Sequence, residues 1–215
     1  FDNNNIYLDK DGLIASGTDD TQNTWMDAKY NNIAVTPRNG KAVEINAMWY
    51  NANMIMANLT MKMGDLLRIK KYKELAKKCK ASFEEKFYNL KTKCLYDVLG
   101  DGKIRPNQLF ALSLTYPVIN PNSEIAKNMI NIVEKKLLNN YGLKTLAKGE
   151  EKYIEVYEGD PCHRDTSYHQ GITWPWLLGL YYNSLKNIEK EEKDKEIAEP
   201  YGYTVVSPSA VISTH

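Results

Sequence analysis

Between Val43 and Met63 the apolar residues Val43, Ile45, Ala47, Met48, Trp49, Met54, Ile55, Met56, Leu59 and Met63 fall on most sides of a helical wheel. A surface helix carries one apolar stripe, whereas a helix that is apolar around most of its circumference has to be buried on several sides. This stretch therefore reads as an inner helix, and it commits the chain to an architecture in which helices surround helices. Gly64 and Asp65 interrupt the pattern. From Leu66 to Tyr88, Ile69, Tyr72, Leu75, Ala76, Cys79, Phe83 and Phe87 recur at three- and four-residue intervals with lysines between them, which predicts an outer, half-solvated helix.

The pairing recurs along the chain. Asn107 to Tyr116 is apolar and stops before Pro117, and Asn122 to Asn139 is amphipathic, with Asn122 or Ser123 as its cap and Glu124 in its first turn. A third inner helix, Thr173 to Leu185, passes into the charged run Lys186 to Glu196. Buried and amphipathic helices in alternation predict stacked helical hairpins, with short strands within 91–104 and 143–160 on one rim. No repeat of fixed period is present, so a solenoid is not expected. Residues 1–198 read as one helical domain. The stretch from Tyr201 to His215 has no helical period, and 199–215 reads as an atypical tail or a foreign join.

Composition narrows the function classes. The 28 Lys and Arg against 27 Asp and Glu leave a net charge of +1, so nothing points to nucleic acid. Cys79, Cys94 and Cys162 are odd in number and widely spaced, which predicts reduced thiols, a cytoplasmic location and no zinc site. No apolar run is long enough to span a membrane, and the N-terminus lacks a signal-peptide pattern. The opening, Phe-Asp-Asn-Asn-Asn, suggests a chain that begins inside a longer parent.

The scarce residues are the informative ones. All four Trp, three of the four Arg and two of the three His stand near the starts of the inner helices. They lie in Thr24-Trp25-Met26-Asp27, in Arg38 to Trp49, in Arg105-Pro106-Asn107-Gln108, and in His163 to Gly171 followed by Trp174-Pro175-Trp176. Gathered at one end of a helical barrel, they would form a cleft of indole faces, guanidinium and amide donors and carboxylates. Such a surface suits a sugar, whose CH faces stack on indole and whose hydroxyls take bidentate hydrogen bonds. Each residue also has a plainer role open to it: Trp as core, Asp27 as a cap or ion-pair partner. Glu44, on an otherwise apolar helix, needs a partner such as Arg38 or Arg105, and a structural ion pair satisfies that need.

Two other motifs do not hold. His163-Arg164-Asp165 invites comparison with a kinase catalytic loop, but Gln170 stands where Asn is needed and no glycine-rich loop precedes it. His163, Asp165 and His169 are suited to hydrogen bonding more than to a metal. Asp9-Lys10-Asp11-Gly12 resembles part of a calcium loop, yet Tyr7 and Thr18 occupy its first and twelfth ligand positions, so it reads as a turn.

In order, Thr24-Trp25-Met26-Asp27, the stretch from Pro37-Arg38 to Tyr50, Arg105-Pro106-Asn107-Gln108, and Tyr168-His169-Gln170-Gly171 with Trp174-Pro175-Trp176 resemble the glucosidase domain of glycogen-debranching enzymes, the amylo-α-1,6-glucosidases. The resemblance runs from about residue 11 to about residue 185. It implies an all-α fold, the (α/α)6 barrel, and an inverting glucosidase that removes α-1,6-linked glucose at branch points of glycogen or limit dextrin. It also implies Asp27 as the general acid, and no cofactor or metal. An Asp beside Trp25 and apolar neighbours would have its charged form desolvated and its pKa raised, as a proton donor requires. Candidates for stacking are Trp25, Trp49, Trp174 and Trp176. Candidates for hydroxyl contacts, or for holding them, are Arg38, Glu44, Arg105, Asn107, Gln108, Arg164, Asp165, His169 and Gln170.

The chain departs from the family at its end. The Glu that serves as general base lies in a loop before the final helix, followed by a helix-start motif that is missing after Lys195, and Glu199 is the only nearby candidate. A twelve-helix barrel needs ~350–400 residues at ~20–30 per helix with its loop. The chain is thus about half a barrel, its other half supplied by a parent chain or by self-association. The rival readings are a glucoamylase- or trehalase-like glycosidase, or a non-catalytic carbohydrate-binding fragment.

Overall fold

The computed structural model describes residues 5–198. Glu199 and the stretch from Tyr201 to His215 lie outside the described residues. The chain opens with two antiparallel hairpins, β1 (Ile6–Leu8) with β2 (Ile14–Ser16) and β3 (Lys29–Tyr30) with β4 (Ile33–Ala34). Asp9 to Leu13 form the first turn, and the turn reading of the calcium-like motif is borne out. Lys41 Nζ lies 2.6 Å from Asp9 and 2.7 Å from Asp11, and Lys86 Nζ lies 2.6 Å from Asp11. Two ammonium groups hold the carboxylates that a cation would need, and Asp11 is drawn down to about 2: burial opposes the shift, and the hydrogen bonds from Lys41 and Lys86 outweigh it.

Helix α1 (Val43–Lys62) is the expected inner helix and α2 (Leu66–Lys86) its outer partner. Gly64, at φ +72°, turns the chain between them, and the Asp65 carboxylate caps α2 by accepting from Arg68 N at 3.1 Å. The two pack along each other through Ala47, Tyr50 and Met54 on one side and Ala76, Cys79 and Phe83 on the other. Beyond α2 comes the small hairpin β5 (Tyr88–Asn89) and β6 (Cys94–Leu95). Tyr88, expected at the end of the outer helix, belongs to this hairpin.

The second inner helix is shorter than its apolar run suggests, and the third starts later. Pro106–Leu109 is a 3-10 turn that leads into α3 (Phe110–Ser113), a single α-turn that ends at Leu114, where the backbone becomes extended. Side chains take over there: Asn187 Nδ2 donates to the carbonyls of Leu112 and Leu114 at 2.7 and 3.2 Å, and Asn51 Oδ1 accepts from Tyr116 N at 3.0 Å. Helix α4 (Glu124–Lys136) is capped by Ser123, which accepts from Ala126 N at 3.2 Å. It packs on β6, on β7 (Leu138–Asn139) and on the 3-10 turn rather than forming a second long hairpin with α3.

β7, β8 (Gly142–Lys144) and β9 (Thr173–Trp174) form a three-stranded sheet. Helix α5 (Pro161–Ser167), capped by Asp160 through His163 N, occupies what the sequence reads as loop. The third inner helix does not start at Thr173. Pro175 opens a 3-10 turn, Pro175–Leu177, and α6 runs over Leu178–Ala198, since proline suits a first helical turn but not a helix interior. The fold is thus mainly helical, with four small sheets among the described residues, and "all-α" holds only for its larger elements. Cys79 and Cys94 are buried thiols, Cys162 is half-buried, and none is bonded to another. Among the described residues no helix is long and apolar enough to cross a membrane.

Candidate functional site

Three loops and the first turn of α1 converge on a buried ionic lattice. Arg38 meets Glu44 with both Nη atoms, the Nη2 bond being 2.7 Å to Oε2. The same guanidinium reaches Asp97 through Nε to Oδ2 at 2.6 Å and Nη2 to Oδ1 at 2.9 Å. Burial alone would lower the Arg38 pKa, but the charges of Asp97 and Glu44 overcome it and raise it. Asp97 mirrors this: burial pushes its carboxyl upward, and Arg38 and then Arg105 pull it below the ordinary range. The structural ion pair expected of Glu44 is present. Arg38 and Arg105 balance Glu44 and Asp97, so the lattice is buried without net charge.

Arg105, Asn107 and Gln108 extend the lattice from the Pro106–Leu109 turn. Arg105 Nη1 donates to the carbonyls of Thr145 at 3.0 Å and His169 at 2.6 Å, and its Nη2 to Gln170 Oε1 at 2.9 Å. Its Nε lies 3.6 Å from Asp97 Oδ2. Gln170 Nε2 donates to Val35 O at 3.3 Å, tying the His169 loop to the end of the β3–β4 hairpin. Gln108 is spent on the backbone: it accepts from Leu95 N at 3.3 Å and donates to Arg105 O at 3.1 Å.

Asn107 joins this lattice to an aromatic cluster. Its Oδ1 accepts from the Trp25 indole at 2.7 Å, while its Nδ2 donates to Asp97 Oδ1 at 2.8 Å. Trp25 stands edge-on to His169 and to Trp176, with ring centroids 5.2 and 5.0 Å apart. Tyr168 packs edge-on to His169 and Trp174, and Trp174 donates its indole N–H to Tyr168 O at 3.1 Å. His169 is 1% exposed, and burial lowers its pKa to about 4; the Asp27 charge pulls the other way, while Arg105 and Arg38 add to the lowering. Its ring is therefore neutral at pH 7. Trp176 is 45% exposed, leaving an indole face open to solvent at the edge of the cluster. Against Val35 and Gln170 a cavity of about 670 Å³ opens, with Tyr30, Tyr153, Ile154 and Thr166 in its walls.

Asp27 sits at the margin of this cluster with its side chain exposed. The desolvation expected of it from Trp25 and Met26 is absent, because Met26 turns into the core, 1% exposed, and Trp25 turns toward Asn107 and His169. Trp49 is not part of the cluster: it packs against the core and donates its N–H to Gly12 O at 3.2 Å, by the first hairpin. On α5, Arg164 is exposed and Asp165 half-buried, and neither side chain bonds to the lattice. His163 is exposed and pairs with Asp160 at 2.9 Å, whereas His169 is buried among the aromatic rings.

Sequence reasoning overlooks two residues here. Asp97 lies in Cys-Leu-Tyr-Asp-Val-Leu, an acidic residue in an apolar run, and the reasoning that singles out Glu44 applies to it equally. Tyr168 stands in the motif Tyr168-His169-Gln170-Gly171 but is not singled out there, and its ring contacts show its place in the cluster.

Residues 2–207 match the family model described as amylo-alpha-1,6-glucosidase. The chain belongs to that family. It is also 25% identical over 225 residues to the glycogen debranching enzyme of Saccharomyces cerevisiae, an alignment that takes in 82% of the chain and 14% of the yeast protein. All the loops that build the lattice and the aromatic cluster fall inside the segment matched to the amylo-alpha-1,6-glucosidase model.

Proposed function

We propose that residues 1–198 form part of an (α/α)6 glucosidase domain that hydrolyses α-1,6-linked glucose at branch points of glycogen or limit dextrin. The observation that carries the reading is the exposed Asp27 carboxylate at the margin of the packed Trp25, His169 and Trp176 rings, within the segment matched to the family. A glucosyl ring laid against the indoles would cover Asp27 and supply the desolvation that the free chain lacks. That cover favours the protonated carboxyl, which donates to the leaving oxygen. Inversion requires a second carboxylate roughly 6.5–9.5 Å away to activate water. Glu44 and Asp97 are both held by Arg38, so neither is free to take that role.

The engagement of both buried carboxylates favours a second reading, a chain that binds glucan without cleaving it. Glucose release from a branched dextrin, measured for the chain and for Asp27→Asn, separates the two. Release by the chain that falls at least about 100-fold in the variant supports the acid. Equal release by both proteins refutes it, and maltooligosaccharide binding in calorimetry without release supports the binding reading.

A further inference from the structure

The indole N–H of Trp25 can only donate, and an ionised carboxylate can only accept. Asn107 stands between one of each, and this fixes its amide: the oxygen must face Trp25, at 2.7 Å, and the NH2 must face Asp97, at 2.8 Å. The polarity of the chain of bonds therefore originates in Asp97, whose ionised state Arg38 and Arg105 enforce. Asp97 is 3% exposed and Asn107 fully buried, so no solvent competes for these bonds. Trp25 is the only member of the aromatic cluster tied by its side chain to the ionic lattice among the described residues, and it lies two residues from Asp27.

We propose that Asp97, acting through Asn107, is a positioning residue that fixes the indole of Trp25 and with it the loop carrying Asp27. Neither Asp97 nor Asn107 touches substrate in this scheme. Arg38 and Arg105 set the charge, Asp97 sets the direction of the amide, and the amide sets the angle of the ring. The ligand assigned to Trp25 rests on the glucosidase reading, whereas the relay itself does not.

The test reads the four tryptophan indole N–H resonances of the 15N-labelled chain, with Trp25 assigned by the loss of one peak in Trp25→Phe. In the unaltered chain the Trp25 indole proton should be protected from hydrogen exchange. Asn107→Leu removes the relay but keeps every charge of the lattice, and should lower that protection at least tenfold while the Trp49 peak stays in place. Asn107→Asp keeps an acceptor for the indole but sets a carboxylate against Asp97, and should also lower it. The double variant Asn107→Asp with Asp97→Asn restores one amide facing one carboxylate, and should recover most of the protection.

Recovery in the double variant supports the relay from Asp97. Unchanged Trp25 protection in a folded Asn107→Leu chain, or protection in the double variant no better than in Asn107→Asp, overturns it. Titration with maltotriose adds the functional arm: a Trp25 peak that moves with sugar, and an affinity at least fivefold weaker in Asn107→Leu, support the positioning role. An affinity unchanged by Asn107→Leu overturns that role. A Trp25 peak indifferent to sugar in the unaltered chain counts against the glucosidase reading, while the exchange data still judge the relay.

Discussion

Lowering the pH should destabilise the chain through His169 in a window where few other groups titrate. The imidazole is 1% exposed, packed against Trp25, Tyr168 and Trp174, and burial takes its pKa from 6.5 down to about 4. Below the unfolded value the unfolded chain takes up a proton that the folded chain refuses, so stability is complete above about pH 6.5 and falls as the pH drops toward 4. With those two values, going from about pH 7.5 to about pH 5 removes about 2 kcal/mol. Carboxylates of ordinary or lowered pKa contribute little until the pH is lower still. Urea unfolding followed by circular dichroism at each pH, for the chain and for His169→Gln, isolates the effect. The chain should lose about 2 kcal/mol more than the variant across that interval. Equal losses would refute the idea that His169 is buried as a neutral ring, and so would a His169 proton resonance that titrates near the ordinary value.

Two further perturbations bear on the site's frame. Arg38→Met leaves the buried carboxylates of Glu44 and Asp97 without their shared cation and should cost about 3–5 kcal/mol in chemical denaturation; a loss below about 1 kcal/mol would show that the lattice does not depend on Arg38. Gly171 sits at φ +142°, and an added Cβ would meet the Tyr153 ring at 2.7 Å and the backbone carbonyl oxygen of Ile154 closer still. Gly171→Ala should therefore destabilise by about 1–3 kcal/mol, read from the urea midpoint, and a neutral effect would refute the idea that the Ile154 backbone and the Tyr153 ring require glycine here.

Much of the helical frame is legible in the sequence. The α1–α2 hairpin follows from periodicity and from Gly64-Asp65, because a helix face and a cap are decided within a few residues of themselves. The Ser123 cap and the turn at Asp9 to Leu13 are local in the same way. So is Glu44's need for a partner, which follows from placing a carboxylate on an otherwise apolar helix. The apolar runs at 107–116 and 173–185 show the limit of this: periodicity announces burial, but Pro175 and the carbonyls claimed by Asn187 decide where helix replaces turn or strand.

Residue order was enough to dictate the helical class of the larger elements, the family and the loops that carry the scarce residues. How those residues are shared out was settled only when the chain folded. Trp49 went to the first hairpin, Arg164 to the solvent side of α5, and Asp97 to the centre of the lattice. A buried charge is satisfied by whichever partners reach it from distant loops, and Arg38, Asp97, Arg105 and Asn107 meet only when the chain has closed around them.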